Sequence, residues 1–505
     1  MINRRQFLNS SMGIIATSKF SLSQGANSNL YPFTLGVASG SPRPDRVVLW
    51  TRLAPIPLQG GDSGFDNLPV RVRVCRDEQM RDAVIDSFVQ APAEDGHSVH
   101  FSARNLEPGR EYWYQFYFGE DESPIGRTRT APAADSDESL SLALACCQHY
   151  ETGQFAAYGD IAAALPDVIV HVGDYIYEYA GVAGRVREHV GEEIRTLWDY
   201  RNRYALYKLD PQLQAAHAAS PWIISPDDHE IDNNWTGYTP QDPAEQTEME
   251  FKVRRWAALK AFYEHMPIEN KPQLDGLNSS LRIYEGFDFG RQLRLNLMDT
   301  RQYRSDQPCG QRMPADDDCD GRYNNDTSMM GSEQERWLGQ QLRGSQARWN
   351  VLAQQTWFTR FRYPDNQYNM DQWDGYVSDQ NQLLQRLSNP DLSNPIVLSG
   401  DWHCGCAMDI SENFNDPESK PVAAELASTS ISSACPWAAA VEAALPENPQ
   451  VQYYSGDRRG YVWCNFDENR LQAEYRIVED SSRSDSSVSI DKELQVVSGV
   501  RGFSS

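Results

Sequence analysis

Long hydrophobic runs are missing from this sequence. No stretch approaches the eighteen or so apolar residues that cross a bilayer, so no transmembrane helix is expected. Basic charge is also scarce: 46 Lys and Arg stand against 71 Asp and Glu, a net charge of −25. A surface of that sign repels phosphate backbones, which excludes a nucleic-acid scaffold working through a basic face. Cysteine is sparse, with nine in 505 residues; that is too few for a disulfide framework, and the odd count leaves at least one unpaired. Gly (33) and Pro (28) are at ordinary levels, which excludes collagen-like or Pro-rich fibres. What is present is core material, 40% hydrophobic and 11% aromatic residues, so wholesale disorder is excluded too. The length exceeds one ordinary domain and predicts two or three. If such an acidic protein handles an anion it must concentrate positive charge locally, and bound metal ions are the obvious source.

The first residues differ in kind from the rest. Arg4-Arg5-Gln6-Phe7-Leu8, followed by the mildly apolar Met12-Gly13-Ile14-Ile15-Ala16, resembles a bacterial twin-arginine export signal. Residues 1–26 are therefore expected to be a signal peptide read by the twin-arginine machinery, with the protein periplasmic or secreted.

Residues 31–132 read as all-β. Alternation is clear in Val70-Arg71-Val72-Arg73-Val74-Cys75 and in Tyr112-Trp113-Tyr114-Gln115-Phe116, and Leu106-Glu107-Pro108-Gly109 is a turn before the second run. A fibronectin- or immunoglobulin-like sandwich fits this pattern. The breaker-rich, acidic stretch Ala131 to Ser139 marks a boundary. From there to residue 485 an α/β catalytic domain is expected, with 486–505 as a C-terminal tail. Within it, Leu142 to Cys147, Val168 to Val172, Trp222 to Ile224 and Ile396 to Leu398 are short continuous apolar runs, as strands covered on both faces require. Ser332-Glu333-Gln334-Glu335 reads as a capping box opening a helix. Cys309 and Cys319 bracket Asp316-Asp317-Asp318 at a spacing that a disulfide can close in an exported protein.

Each buried run ends in side chains competent to bind metal. Cys147-Gln148-His149 follows the first, and Gly173-Asp174-Tyr175-Ile176-Tyr177-Glu178 the second. Asp227-Asp228-His229-Glu230 with Asn233-Asn234 follows the third, and Gly400-Asp401-Trp402-His403 the fourth. Any one of these has a bland reading: a Gly-Asp turn, a solvated helix start, a buried structural cysteine. Four together, each at the carboxyl end of a strand, argue for one shared polynuclear site, because loops converge there in layered α/β folds.

Gly173-Asp174-x-x-Tyr177, Asp227-Asp228-His229-Glu230 and Gly400-Asp401-x-His403 resemble the ordered signature of calcineurin-like metallophosphoesterases. With Asp299-Thr300-Arg301-Gln302-Tyr303-Arg304, Trp373-Asp374-Gly375-Tyr376, Thr429-Ser430-Ile431-Ser432-Ser433 and the early Gly36 to Pro42, they resemble the PhoD-type alkaline phosphatase/phosphodiesterase family over nearly the whole chain. The resemblance implies a four-layered α/β/β/α metallophosphoesterase-like domain behind the sandwich, and a hydrolase of phosphoric esters. It also implies Fe³⁺ held by Cys147, Asp174 and Tyr177, with Asp174 bridging to a divalent site of Asp228, Asp401 and His403. Oxygen-rich ligands there favour Ca²⁺ or another hard cation. His229 stands where related enzymes protonate the leaving oxygen or orient the phosphate. Cys146 leaves the identity of the binding cysteine resting on the spacing to Gln148, and Asn233 and Asn234 are equal candidates for a further oxygen. His149 reads as a neighbour of the site. Arg301 and Arg304 fit either phosphate binding or an internal ion-pair segment. The competing functions are a phospholipase-D-like phosphodiesterase, a non-catalytic exported binding protein and, with least support, an iron–tyrosinate redox enzyme.

Overall fold

The continuous apolar runs become strands because nothing in them asks for solvent on either face. The computed structural model describes residues 30–61, 66–273, 278–416 and 418–504, so the twin-arginine segment lies outside the described residues. Leu140–Ala145, Val168–His171 and Pro221–Ile224 lie side by side and parallel in a nine-stranded sheet. Pro395–Ser399 sits in a seven-stranded sheet, parallel to Trp349–Ala353 and to Pro421–Ala427.

Side-chain alternation fixes how the layers stack. Leu142, Val170 and Ile223 of the first sheet share one apolar cluster with Leu295, Val351, Ile396 and Leu398 of the second. The intervening Leu352 and Val397 point the other way, onto Leu338, Leu342, Leu383 and Leu387 of helices Gly331–Gly344 and Val377–Leu387. Helices Ala156–Ala164, Leu197–Lys208, Pro211–Ala219 and Glu248–His265 pack onto the first sheet, so the order is helix, sheet, sheet, helix. The capping box expected at Ser332 does not form. The helix begins at Gly331, with the Ser328 hydroxyl accepting from the Gly331 N–H at 2.8 Å. Cys309 and Cys319 are disulfide-bonded, with Cα atoms 6.0 Å apart.

Apart from one 3₁₀ turn, the regular structure from Val37 to Arg129 is all strand. Asn67–Cys75, Ala83–Pro92, Glu111–Phe118 and two short partners form a five-stranded sheet. Its Val70, Val72, Val74, Tyr114 and Phe116 face Val37, Val47, Leu49 and Val99. Those facing residues belong to Val37–Arg43, Arg46–Arg52 and Ser98–Arg104, which are the last three strands of the nine-stranded sheet. Val37–Arg43 pairs in parallel with Pro221–Ile224, so hydrogen bonding crosses the compositional boundary at residues 131–139. The far edge of the same sheet corrects the expected tail at 486–505. Val488–Val497 pairs along Arg470–Val478, as the alternating Val488-Ser489-Ile490-Asp491 pattern allows.

The helix face of this sheet buries several bases among rings. Lys208 Nζ lies 4.4 Å from the Trp50 ring centroid and 3.3 Å from His217 Nε2, with no carboxylate partner among the described residues. Burial pushes Lys208, His217 and His265 well below their ordinary values. The folded state therefore favours the neutral forms of these groups, while the unfolded chain protonates them, histidines below about pH 6.5 and lysine below about pH 10.4. Stability from this cluster is lost as pH falls through those unfolded values. Lys208→Met is expected to raise Tm at pH 7, with the gain over wild type shrinking toward pH 10. One proton is worth about 1.4 kcal/mol per pH unit in that window. Calorimetry across pH 7 to 10 checks it; a pH-independent difference overturns the assignment.

Candidate metal centre

Because the three adjacent strands are parallel, their following loops emerge at one end, where backbone hydrogen bonds stitch them together. The Cys147 N–H donates to Gly173 O at 3.1 Å and the Gln148 N–H to Asp174 O at 3.0 Å. Asp174 N–H, Tyr175 N–H and Asp227 N–H all donate to the Glu230 carboxylate, so Glu230 clamps two loops. Gly173, at φ 113°, has no alternative: a Cβ there would stand 2.3 Å from Asp227 Cβ. Cys147, Asp174, Asp401 and His403 adopt left-handed backbone at φ 56°, 59°, 61° and 57°. For residues other than glycine this costs on the order of 1 kcal/mol each and clusters at functional sites.

Three overlapping groups of donor atoms result, each within 4.8 Å: Cys147, Asp174 and His403; Asp174, Asp228 and His229; Asp227, Asp228 and Asp401. Asp174 belongs to the first two and Asp228 to the last two. The Tyr177 hydroxyl donates to Asp174 Oδ2 at 2.7 Å and lies 3.0 Å from His403 Nε2. His403 Nδ1 donates to Ala434 O at 2.7 Å, an inferred tautomer that leaves Nε2 with a free lone pair. The sequence reading puts His403 with Asp174, Asp228 and Asp401; in the structure its Nε2 lies 3.7 Å from Asp174 Oδ2, and it groups with Asp174 and Cys147 beside Tyr177.

The electrostatics call for cations. Burial, only partly countered by His229, pushes Asp174 well up, with Asp228, Asp227 and Glu230 adding to the rise. Burial also raises Asp401, and lifts Asp227 to about 7 despite Arg301. Burial opposes ionisation of Asp228 as well, but Arg301 and His229 outweigh it and hold Asp228 low. Asp174 Oδ1, Asp227 Oδ2 and Asp228 Oδ1 are buried without a hydrogen-bond partner. Orphaned carboxylate oxygens beside a thiol, a phenol and an imidazole are the donor set that metal ions satisfy.

The remaining expectations sort by contact. Cys146 turns its thiol to the carbonyls of Ser428 and Thr429, 3.9 and 3.8 Å away, which leaves Cys147 at the site. Asn234, at φ 53°, donates its N–H to Asp228 Oδ2 at 2.8 Å, whereas the Asn233 N–H donates to Glu178. His149 stands edge-on to Tyr177 at 4.4 Å and groups with Glu151 and His189 instead. Arg301 is fully buried against Asp227, Asp371 (2.8 Å), Asp401 (3.5 Å) and Asp228 (3.8 Å), and Arg304 also binds Asp371; both are internal ion pairs. Sequence reasoning missed Asp371, which follows no strand, and the role of Glu178, whose Oε2 lies 2.7 Å from His229 Nδ1. The His229 ring also stacks on Tyr177, with centroids 4.2 Å apart. Burial alone would keep this imidazole neutral, but Glu178 and then Asp228 outweigh it and push His229 well up.

Comparison with known proteins gives the family. The model of the PhoD-like phosphatase family matches residues 142–475, and that of the PhoD-like phosphatase N-terminal domain matches 18–132. The chain is 40% identical over 473 residues to alkaline phosphatase D of Bacillus subtilis (strain 168), covering 91% of this chain and 80% of that one. It is similar to a solved structure of PhoD, with a TM-score of 0.88 at 38% identity, over 95% of this chain and 94% of that one. A purple acid phosphatase from seeds of yellow lupin (Lupinus luteus) shares the fold at a TM-score of 0.55 and 13% identity, over 93% of this chain and 74% of that one. The chain therefore belongs to the PhoD-like phosphatase family and is a hydrolase of phosphoric esters.

Proposed function

We propose that this hydrolase works at a mixed centre, with Fe³⁺ held by Cys147, Asp174 and Tyr177, joined by His403, and a hard divalent cation, Ca²⁺ by ligand chemistry, held by Asp174, Asp228 and Asp401. The observation that carries this reading is Asp174, which sits in two ligand-competent groups and keeps one buried oxygen orphaned. Asp227 is engaged by Arg301, which orients rather than ligates. Bound cations would supply charge neutralisation and an acidic water for attack on phosphorus. The chain's own part is proton control: Glu178 fixes the His229 imidazole, which delivers a proton to the departing ester oxygen. Residues 31–132 are read as a fibronectin/immunoglobulin-like module, supported by Tyr112, whose hydroxyl accepts from the Glu107 N–H at 2.9 Å, and 140–485 as the catalytic part.

Elemental analysis of the purified protein, with its visible spectrum, tests the ferric half. Tyrosinate bound to iron should give a charge-transfer band, and Tyr177→Phe should abolish it with the fold intact. A colourless, iron-free, fully active wild type overturns the assignment. The protein is further read as periplasmic or secreted through the twin-arginine machinery, on the strength of Arg4-Arg5 before Phe7-Leu8. Changing both arginines to lysine should strand it in the cytoplasm; unchanged export in a fractionation assay refutes that route.

A further inference from the structure

The run Thr429-Ser430-Ile431-Ser432-Ser433 follows strand Pro421–Ala427 and ends against the metal centre, yet none of its residues is in the proposed ligand set. Its last hydroxyl is nonetheless fully engaged there. Ser433 is buried, and its Oγ accepts from the His149 N–H at 3.0 Å, donates to Cys147 O at 2.7 Å and lies 2.8 Å from the Tyr177 hydroxyl oxygen. The Ser433 N–H also donates to Cys147 O, at 3.2 Å, so that carbonyl keeps a partner when the hydroxyl proton turns elsewhere. The next residue, Ala434, carries the carbonyl that orients His403 through Nδ1. Two consecutive residues therefore contact the Cys147 backbone, the Tyr177 oxygen and the His403 ring, parts of three of the four residues proposed to hold iron.

Tyr177 is where this arrangement matters most. Its hydroxyl oxygen has three hydrogen-bonding neighbours among the described residues: Asp174 Oδ2, His403 Nε2 and Ser433 Oγ. The first two are themselves proposed ligands, whose lone pairs serve a cation when one is bound. Ser433 is the neighbour that lies outside the ligand set and so remains to orient the oxygen, as residues behind metal ligands commonly do. We propose that Ser433 is a positioning residue for the ferric half of the centre, its hydroxyl donating to the Tyr177 oxygen and fixing where that oxygen stands. The inference deepens the ferric assignment and rests on it. Ser433 acts through Tyr177 rather than on the substrate. A donor on the ligand oxygen stabilises the lone pairs from which charge transfer to iron starts, so it moves the visible band to higher energy.

Visible spectra of full-length wild type, Ser433→Ala and Ser433→Thr in excess ferric iron test this, together with the rate at which a chelator then strips the iron. In Ser433→Ala the charge-transfer band should move to longer wavelength, and iron should be held about 10–100-fold more weakly, the usual cost of removing such a partner. Ser433→Thr keeps the hydroxyl and should return both toward wild type. Circular dichroism confirms that each variant is folded. Band position separates positioning from a merely structural role, which would lower iron content without moving the band of the iron that remains. A coloured wild type whose band Ser433→Ala leaves in place overturns this inference and spares the ferric assignment. A colourless, iron-free wild type overturns the ferric assignment and this inference with it.

Discussion

Replacing Asp174 by Ala is expected to remove metal and activity in one step, lowering kcat by about 10³-fold or more. The size follows from electrostatics: bound cations contribute several kcal/mol of transition-state stabilisation, and each 1.36 kcal/mol is about tenfold in rate. Asp174 is the residue whose loss affects both ends of the centre, since it joins Cys147 and His403 on one side and Asp228 and His229 on the other. Its carboxylate also accepts the Tyr177 hydroxyl, so the phenol loses its neighbour at the same time. Elemental analysis beside a phosphodiesterase and a phosphomonoesterase assay checks this. An Asp174→Ala protein that retains full metal yet is inactive would move Asp174 from ligand to substrate contact.

His229→Ala should behave differently, and the contrast separates chemistry from metal retention. With Nδ1 held by Glu178, the imidazole is fixed in orientation, and its proton matters most when the leaving oxygen is basic. For alkyl esters kcat should fall by about 10²–10⁴-fold, and for activated aryl esters far less, because an aryl oxide leaves with little help. Metal content should stay close to wild type. If the ions are lost instead, His229 is a ligand, as its place beside Asp174 and Asp228 permits, and the proton donor lies elsewhere.

Much of the candidate site was legible because its donor residues follow strands. Cys147, Asp174, Asp228 and Asp401 each come within a few residues of a continuous apolar run, and apolar runs predict strands well when both faces are covered. Cys147 was chosen over Cys146 only on the spacing to Gln148, and the adjacent asparagines could not be told apart in sequence, because the choice lies in backbone angles: Cys147 stands at φ 56° and Asn234 at φ 53°. His403 was read with Asp174, Asp228 and Asp401, whereas it groups with Asp174 and Cys147, since proximity along Asp401-Trp402-His403 says nothing of direction when both Asp401 and His403 are left-handed. Asp371 gave no signal, being a loop residue whose carboxylate is held by Arg301, Arg304 and Gln307. The strands of residues 31–132 were read from alternation, but their partners were not. Period two sets the face a residue occupies and leaves the neighbouring strand undetermined.

The strand Val37–Arg43 bears on how this chain can be cut. It lies between Pro221–Ile224 and Arg46–Arg52, so deleting everything before residue 132 would strip the parallel partner from the strand that leads into Asp227, Asp228 and His229. Pro221–Ile224 would then become a bare margin, offering unpaired N–H and C=O groups and an apolar face to any passing chain, which is how sheets polymerise. A truncated catalytic fragment is thus a candidate for inclusion bodies rather than a minimal enzyme. Any gene fusion or domain exchange in this protein must carry the strands from Val37 to Arg129 along with the candidate metal-binding residues.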